Sequence, residues 1–311
     1  MKRTQLITTA DLTREEVDFL IEEAEKLRGK QTEDLKGKIV ASLFFEPSTR
    51  TRLSFESATY RLGGNVITVA DAASTSMKKG ETLADTIRVI EKYADILVMR
   101  HPQAGSAEEA IKYTKKPFLN AGDGANQHPT HALLDMLTLK REMGTIDGLT
   151  IGLVGDMKYS RCIHSVLYLL RFYKIKKIYS ISPEELKLPK EYLELMQAAG
   201  IEYVETEELE KNIPELDVLY MTRIQQERFE TPSDYEKFKG SYILTAAMVK
   251  TGKSGLRVIS PLPRVDEIAT DVDALEQAAY FRGAEDGMYM RMALLKYLSG
   301  NYNSPMKDGP K

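Results

Sequence analysis

The stretch that decides the fold is Glu46-Pro47-Ser48-Thr49-Arg50-Thr51-Arg52. The apolar run before it, 39–45, predicts a buried strand. The segment after it carries Phe55 and Ala58 at helical spacing, and Gly63-Gly64 ends that helix. Three hydroxyls and two guanidinium groups are therefore expected at a helix N-terminus, where backbone N–H groups and the helix dipole favour an anion such as phosphate. The alternative is a capping serine beside two solvated arginines.

The bulk composition restricts the class of protein. The chain has 311 residues, of which 42% are hydrophobic and 29% charged, with a net charge of −3. These values fit a two-domain globular protein and give no sign of a nucleic-acid surface. The only cysteine, Cys162, leaves no internal disulfide or multi-cysteine metal site and fits a reducing compartment. Because no signal peptide or bilayer-spanning apolar run is apparent, we expect a cytoplasmic protein without a membrane partner.

Strand and helix patterns alternate along the chain. Strands are predicted at 39–45, 66–69, 96–99, 118–119, 149–154, 177–181, 202–204, 217–221 and 258–259. Helices are predicted from a capping box at Thr13 to about Leu27, and at 49–62, 82–93, 129–143, 161–172, 189–199 and 288–298. This alternation predicts an α/β fold with two domains, each a parallel β-sheet flanked by helices, and an active site in the cleft between them.

The predicted domain boundaries follow from the same pattern. The first domain covers 1–130 and is completed by the C-terminal helix at about 286–300. A helix and connector occupy 131–148, and the second domain covers 149–285. The strand–turn–helix pattern at 149–172 lacks G-x-G-x-x-G, so dinucleotide binding has little support.

Arginines follow several of the predicted strands. Ligands of open parallel sheets bind beyond the carboxyl ends of the strands. Arg100, Arg161 and Arg223 lie at or just past such ends, as do the arginines of the opening stretch. A cleft lined by arginines suits substrates that are rich in phosphate and carboxylate groups, although a single arginine at a strand end is usually just solvated.

Two loops have more than one interpretation. Residues 71–85 are rich in small side chains and show no period, which indicates either a functional loop or a solvated surface loop. His128 and His131 lie three apart near the helix start at Pro129 and could share a face. A metal site is the weaker interpretation, because no third acidic or sulfur ligand lies nearby in sequence. A neutral hydrogen-bond donor to a carbonyl oxygen is the favoured role of such a histidine.

Together these motifs resemble the aspartate/ornithine carbamoyltransferase family over nearly the whole chain. The resemblance is carried by Ser48-Thr49-Arg50-Thr51-Arg52, Lys79-Gly80-Glu81, Arg100-His101-Pro102, Gly122-Asp123-Gly124 with His128-Pro129-Thr130, Gly155-Asp156 with Arg161, Thr222-Arg223-Ile224-Gln225 and Pro261-Leu262-Pro263-Arg264. The last two motifs favour the aspartate branch, since the ornithine branch has a cysteine-containing H-C-L-P stretch where this chain has Ser260-Pro261-Leu262-Pro263.

The resemblance implies an activity and two substrates. The carbamoyl group of carbamoyl phosphate would pass to L-aspartate, giving N-carbamoyl-L-aspartate and phosphate, an early step of pyrimidine synthesis. The first predicted domain would bind carbamoyl phosphate and the second L-aspartate. No metal, other cofactor or covalent intermediate is implied. The alternatives are a catalytically weakened homologue and a carbamoyltransferase for another amine such as ornithine.

The resemblance also implies residue roles. The catalytic residues would be Arg50, Thr51, Lys79, Arg100 and His128. Phosphate would be held by Ser48, Thr49, Arg50, Thr51 and Arg100, and the carbamoyl oxygen would accept from Thr51, Arg100 and His128. The carbamoyl NH2 would donate to the backbone carbonyls of Pro261 and Leu262. L-Aspartate would be held by Arg161, Arg223 and Gln225.

A neighbouring subunit is implied as well. Ser76 and Lys79 would reach into the active site of another copy of the chain, which implies a homotrimer with shared active sites. Some relatives bind a separate regulatory chain in addition.

Two positions depart from the family pattern. His131 stands where the family usually has a glutamine that accepts from the carbamoyl NH2; a neutral histidine can accept there, but a protonated one cannot. Ser260 stands where the family usually has histidine, and it shortens a side chain beside the carbonyls of Pro261 and Leu262. We therefore expect an active enzyme with an altered carbamoyl-phosphate site.

Overall fold

The computed structural model describes residues 3–226, 229 and 231–300. The strands in these ranges are β1 (Gln5–Leu6), β2 (Ile39–Phe44), β3 (Asn65–Val69), β4 (Ile96–His101), β5 (Phe118–Asp123), β6 (Thr150–Val154), β7 (Lys177–Ile181), β8 (Glu202–Thr206), β9 (Val218–Met221) and β10 (Arg257–Ile259). They form two five-stranded sheets in which all strands pair in parallel.

Helices connect and flank the strands. They are α1 (Arg14–Leu27), α2 (Thr49–Arg61), α3 (Leu83–Ile90), α4 (Ser106–Ala110), α5 (Pro129–Met143), α6 (Arg161–Leu170), α7 (Lys190–Ala198), α8 (Leu209–Asn212), α9 (Pro232–Glu236), α10 (Ala246–Val249) and α11 (Tyr280–Ser299). Short 3-10 helices include Thr9–Asp11, Ala72–Ser74, Ser76–Lys79, Ile111–Tyr113, Glu184–Leu186, Ile213–Glu215 and Thr270–Ala274. Within the described ranges, no helix combines the length and the apolar character that crossing a membrane requires.

The chain forms two compact units. Unit 1 contains the residues up to Leu134 and those from Ala284 onward, and unit 2 is Asp135–Gly283. Both boundaries fall inside helices, α5 and α11. Unit 1 is therefore built from two separate segments of the chain.

Unit 1 is organised around a sheet with the strand order β1-β5-β4-β2-β3. The central strands are buried along almost their whole length, as in parallel sheets that helices cover on both faces. Phe55 and Ala58 of α2 are buried, as their spacing predicted. The capping box at Thr13 is present, and Tyr297 of α11 donates to Glu16 of α1 at 3.2 Å, so the last helix packs with the first.

Unit 2 has the strand order β10-β9-β6-β7-β8. Its core contains Leu219 from β9, Val258 from β10 and Ile181 from β7, all fully buried. In each unit the central strand of the sheet is the one whose carboxyl end leads into a motif singled out above: β4 into Arg100-His101-Pro102 and β6 into Gly155-Asp156.

Several boundaries differ from the sequence-based predictions. The segment 71–85 contains two 3-10 helices, because Asp71 and Thr75 cap short turns, and α3 ends at Ile90 rather than at Tyr93. Strand β5 continues to Asp123, so its last four residues are strand and not loop. Strand β1 was not predicted at all; its two residues are defined only by pairing with β5.

The closing helix also begins earlier than predicted, at Tyr280 rather than at Met288. Gly283 and Gly287 weaken the helical pattern in its first half, since glycine is a poor helix former. A Cβ at Gly283 would lie only 3.2 Å from Thr138 Oγ1, so close packing accounts for this glycine. Tertiary packing here overrides local propensity.

Candidate active site

The opening stretch joins β2 to α2 in unit 1. Ser48 occupies the N-cap position with φ −159° and ψ 109°, and within the part of the chain described here its hydroxyl makes no capping bond to the helix. Ser48 is therefore the N-cap residue of α2, as the alternative interpretation has it, but its hydroxyl does not make the capping bond. Thr49 and Arg50 are exposed, whereas Thr51 is buried. The first turn of α2 presents backbone N–H groups beside these hydroxyls, the arrangement that suits an anion.

Arg100 lies at the neighbouring strand end. Strands β2 and β4 pair in a register that sets Phe44 beside Arg100, and the N–H of Phe45 donates to the Arg100 carbonyl at 2.9 Å. The Arg100 Nε is 2.8 Å from Glu46 Oε2, an ion pair that the sequence-based reasoning did not consider. The structure thus brings Arg100 to the same edge of the sheet as the opening stretch.

A buried carboxylate organises the loop that leads to His128. Asp123 is fully buried at the end of β5. Its two oxygens accept four hydrogen bonds, from the side-chain amides of Asn120 (2.9 Å) and Asn126 (3.0 Å) and from the backbone N–H groups of Gln127 (3.1 Å) and Gly105 (2.9 Å). Gly124 follows with φ +54°, and a Cβ there would lie 2.5 Å from the backbone nitrogen of Ala104. Only glycine fits this turn.

The two histidines predicted to share a face lie side by side. The ring centroids of His128 and His131 are 5.2 Å apart, and His128 is buried. Thr130 Oγ1 lies 3.5 Å from Nδ1 of His128, at the outer limit of a hydrogen bond. Across residues 3–226, 229 and 231–300, no three His, Cys, Asp or Glu side chains are grouped so that they could hold a metal ion.

His101 is a third histidine of this sheet edge. Its Nδ1 accepts from the N–H of Gln103 at 3.1 Å, which leaves the proton of the neutral ring on Nε2. Burial lowers the pKa of His101, against the raising influence of Glu46 and Asp123. His101 is therefore neutral at pH 7. The sequence signal for it was present in Arg100-His101-Pro102, but no role was assigned to it.

Ser76 and Lys79 lie on the loop that follows β3, an edge strand of the sheet. Both residues are exposed. The loop is held by its own hydrogen bonds, including one from the N–H of Met77 to Thr75 Oγ1 at 3.2 Å, and Gly80 ends it with φ +97°. The loop thus has a defined conformation that directs two polar side chains to solvent.

In unit 2, three adjacent strands lead into the remaining predicted residues. Strand β9 lies between β10 and β6, and its Met221 pairs with Val154 of β6. The N–H of Thr222 donates to the Val154 carbonyl at 2.8 Å, so the two strand ends stay together. Gly155 has φ +111°, and a Cβ there would lie 2.1 Å from the carbonyl oxygen of Thr222. No other residue fits so close an approach.

Asp156 is the buried acid of this second edge. Its Oδ1 accepts from the N–H of Tyr159 at 2.9 Å. Burial raises the pKa of Asp156 to about 6, although backbone N–H groups and the charge of Arg223 oppose the rise. Gln225 Nε2 contacts the Tyr159 carbonyl at 3.4 Å, which ties the residues after β9 to the turn after β6. Arg161, at the first position of α6, is buried.

The segment after β10 contains Pro261 and Leu262. The Leu262 φ is +53°, and the peptide bond between Leu262 and Pro263 is cis. Ser260 Oγ accepts from the N–H of Leu262 at 3.1 Å. The two terminal guanidinium nitrogens of Arg264 donate to the Asp273 carboxylate, at 2.5 and 3.0 Å. The segment is therefore fixed on both sides of its two carbonyls.

The predicted residues fall into two groups. Unit 1 brings together the residues that follow the neighbouring strands β2, β4 and β5, namely Ser48, Thr49, Arg50, Thr51, Arg100, His128 and His131. Unit 2 brings together those that follow the neighbouring strands β6, β9 and β10, namely Arg161, Arg223, Gln225, Pro261 and Leu262.

Comparison with known proteins assigns these two groups of residues to two family domains. The family descriptions "Aspartate/ornithine carbamoyltransferase, carbamoyl-P binding domain" and "Aspartate/ornithine carbamoyltransferase, Asp/Orn binding domain" match residues 4–141 and 147–298. The aspartate carbamoyltransferase catalytic subunit of Thermococcus onnurineus is 51% identical over 299 residues, which are 94% of this chain and 96% of that protein.

Solved structures are similar over the same length. Aspartate transcarbamoylase from Trypanosoma cruzi in complex with carbamoyl phosphate has a TM-score of 0.90 at 40% identity, covering 94% of this chain and 95% of that one. The catalytic subunit of the Methanocaldococcus jannaschii aspartate transcarbamoylase has a TM-score of 0.88 at 49% identity, covering 95% and 98%.

Proposed function

This chain belongs to the aspartate/ornithine carbamoyltransferase family, and we propose that it is an aspartate carbamoyltransferase that makes N-carbamoyl-L-aspartate for pyrimidine synthesis. The observation that carries the proposal is the placement of Ser48–Thr51 at a helix N-terminus beside Arg100, at the ends of two paired strands. This placement supports an anion site with a guanidinium next to it, as the phosphate of carbamoyl phosphate requires.

The reaction needs little covalent help from the protein. The amine nitrogen of L-aspartate attacks the carbamoyl carbon, and the bond from that carbon to the bridging oxygen breaks. Phosphate leaves with the electron pair and takes up the proton that the amine loses. Negative charge grows on the carbamoyl oxygen during the attack. Thr51, Arg100 and His128 are the donors proposed for that oxygen. An Nδ1 that accepts from Thr130 would put the His128 proton on Nε2, ready to donate.

Unit 2 supplies the residues proposed for the second substrate. Arg161 and Arg223 would pair with the two carboxylates of L-aspartate, and Gln225 would add a hydrogen bond. The elevated pKa of the nearby Asp156 reduces the negative charge that an incoming dicarboxylate would meet at mildly acidic pH. The Pro261 and Leu262 carbonyls would accept from the carbamoyl NH2.

The direct test is an amine-ranking assay. The purified chain is mixed with carbamoyl phosphate and, in turn, L-aspartate, L-ornithine and related amines, and the carbamoylated product is measured. We expect L-aspartate to give the highest kcat/KM. A different leading amine would overturn the substrate assignment, and an absence of carbamoyl-aspartate above background would overturn the activity.

The same proposal includes a homotrimer with shared active sites in the cytoplasm. The exposed Ser76 and Lys79, on a loop with a defined conformation, support a role in a neighbouring copy. Cys162 as the only cysteine supports a reducing compartment. A regulatory chain would be a further partner, to be sought by co-purification.

Shared sites predict complementation. Chains with Lys79→Ala and with Arg50→Ala should each be inactive alone. When they are unfolded and refolded together, some sites receive a normal Arg50 from one chain and a normal Lys79 from another, so partial activity returns. Each variant refolded alone at the same total concentration is the control. Mixed trimers without any activity would contradict the shared site.

A further inference from the structure

The turn that follows β10 contains an unusual backbone conformation. Among the described residues, Leu262 is the only one other than glycine with a positive φ, at +53°. A side chain with a Cβ is disfavoured in this left-handed region, because the Cβ approaches the following carbonyl oxygen. Such residues persist only where their surroundings hold them, and they concentrate at functional sites.

Three contacts within unit 2 hold the turn. The partly buried Leu262 side chain packs against the hydrophobic core. Arg264, two residues later, is fixed by its paired contacts with Asp273. The third contact is the only one directed to the Leu262 backbone: Ser260 Oγ accepts from the Leu262 N–H at 3.1 Å. It spans the peptide units Ser260–Pro261 and Pro261–Leu262, and so restrains the orientation of the Pro261 carbonyl.

We propose that Ser260 is a positioning residue that sets the preference of this enzyme for a carbamoyl over an acyl phosphate. Its hydroxyl holds the Leu262 N–H and with it the peptide plane that carries the Pro261 carbonyl, so that this oxygen faces the substrate amide beside the Leu262 carbonyl. The inference rests on the proposed function, in which these carbonyls accept from the carbamoyl NH2. Ser260 itself touches no substrate and acts through Leu262.

The difference between a carbamoyl and an acetyl group explains why this turn would control specificity. A carbamoyl group carries an NH2 where an acetyl group carries a methyl, and the two are similar in size. A hydrophobic pocket discriminates poorly between such groups. Two carbonyls directed at this position accept hydrogen bonds from the NH2 but are left without a donor by the methyl. If the carbonyls change orientation, only the ligand that has the NH2 should therefore bind more weakly.

The test uses two stable phosphonates that differ at this group alone. Phosphonoacetamide carries the NH2, and acetonylphosphonate carries a methyl in its place. Their dissociation constants are measured by calorimetry on the full chain carrying Ser260→Thr or Ser260→Val. These two side chains have nearly the same shape, but only threonine keeps a hydroxyl that can accept from the Leu262 N–H.

We expect Ser260→Thr to keep the preference of the unsubstituted chain for phosphonoacetamide. Ser260→Val should bind phosphonoacetamide about 5- to 10-fold more weakly, the effect of a lost hydrogen bond, with acetonylphosphonate changed less than about twofold. An equal preference in both variants, or an equal loss for both ligands, would overturn the inference.

Thr206→Val is the matched control. Thr206 Oγ1 accepts from the N–H of Glu208, also two residues ahead and also at 3.1 Å, but Thr206 is the last residue of β8, at the opposite edge of the sheet. This variant should lose a similar hydrogen bond and leave both dissociation constants unchanged. If it altered the preference as Ser260→Val does, the effect would reflect general destabilisation and the inference would be wrong.

Binding is measured here without turnover, which separates this inference from the proposed function. A chain that prefers phosphonoacetamide but forms no carbamoyl-aspartate would contradict the activity alone. A chain that makes carbamoyl-aspartate yet binds the two phosphonates equally well would contradict the role of Ser260 alone.

Discussion

Each unit has a Gly-Asp pair at the carboxyl end of a strand, yet the two aspartates have different surroundings. Asp123 in unit 1 and Asp156 in unit 2 both lie at or just after the carboxyl end of a strand, and both are fully buried. Asp123 accepts four hydrogen bonds, two on each oxygen. Asp156 accepts from the Tyr159 N–H on Oδ1, and the backbone N–H groups of Lys158 and Gln225 also favour its charged form, but its buried Oδ2 makes no hydrogen bond of good geometry among the described residues.

The difference shows that two equally buried carboxylates can be hydrogen-bonded to very different extents. Desolvation disfavours the charged form, and each N–H donor favours it. For Asp156 the desolvation prevails, and its pKa rises to about 6. The donors to Asp123 instead make that carboxylate the centre of a rigid loop that precedes His128. Unit 1 thus holds its buried aspartate with four hydrogen bonds, and unit 2 contains a buried aspartate whose pKa is raised.

The largest effect expected from this comparison is that of Asp123→Ala. The substitution leaves four donors without their acceptor in a buried place, so we expect a loss of about 4 kcal/mol or more in unfolding free energy. Urea unfolding followed by circular dichroism measures it. Asp156→Ala is the matched control and should lose about 1 kcal/mol or less of unfolding free energy at pH 7. The substitution removes a hydrogen bond, but it also removes the cost of burying a charge, and the two effects oppose each other. Similar losses in the two variants would contradict the contrast.

The second effect is the pH dependence of stability that Asp156 causes. Its pKa is raised on folding, from 3.8 to about 6, so the folded state binds more protons between these values and stability falls as pH rises through them. The fall amounts to about 3 kcal/mol at most, since each pKa unit corresponds to about 1.4 kcal/mol. Asp156→Asn cannot titrate and should lack this component.

The measurement compares the two proteins across pH. The unfolding free energy of the unsubstituted chain minus that of Asp156→Asn should decrease from pH 4 to pH 6 and stay level from pH 7 to pH 8. A difference that does not change with pH, or that increases, would show that the Asp156 pKa is not raised by folding.

The smallest effect is the removal of one donor from Asp123. Asn126→Ala deletes the bond at 3.0 Å to Oδ2, which still accepts from Gly105, so we expect a loss of about 1.5 kcal/mol. Hydrogen exchange should accelerate in the peptide that contains residues 120–128. Asn212→Ala, which removes an exposed side-chain bond to the Glu208 carbonyl, should stay within about 0.5 kcal/mol.

Local patterns were enough to predict much of the fold. The apolar runs identified β2 and β4, and the capping box at Thr13 identified the start of α1, because these signals lie within a few neighbouring residues. Strand β1 escaped prediction since its pairing with β5 joins Gln5 to Phe118. The early start of α11 was not predicted, because its glycines disfavour a helix locally and are present for close packing.

The functional roles of the site residues stay predictions, but their places in the fold were predictable to a similar extent. Residues of the opening stretch, Arg100 and His128 could be placed at strand ends from sequence, and the structure places them at neighbouring ends of one sheet. The hydrogen bonds around Asp123 were not predictable, because one of the donors, the Gly105 N–H, comes from a different loop. The left-handed Leu262 had no local signal either, since leucine is not a residue that favours this conformation.

The composition of unit 1 from two chain segments has a consequence for synthesis. A ribosome releases the chain from its N-terminus, and domains in general fold in that order. Here the Arg28 side chain, at the C-terminal end of α1, forms an ion pair with Asp286 at 2.8 Å. Asp286 is synthesised 258 residues after Arg28. The strands of unit 2 are all made before α11 is available to unit 1. The half of the protein that is translated first is therefore the half that is finished last.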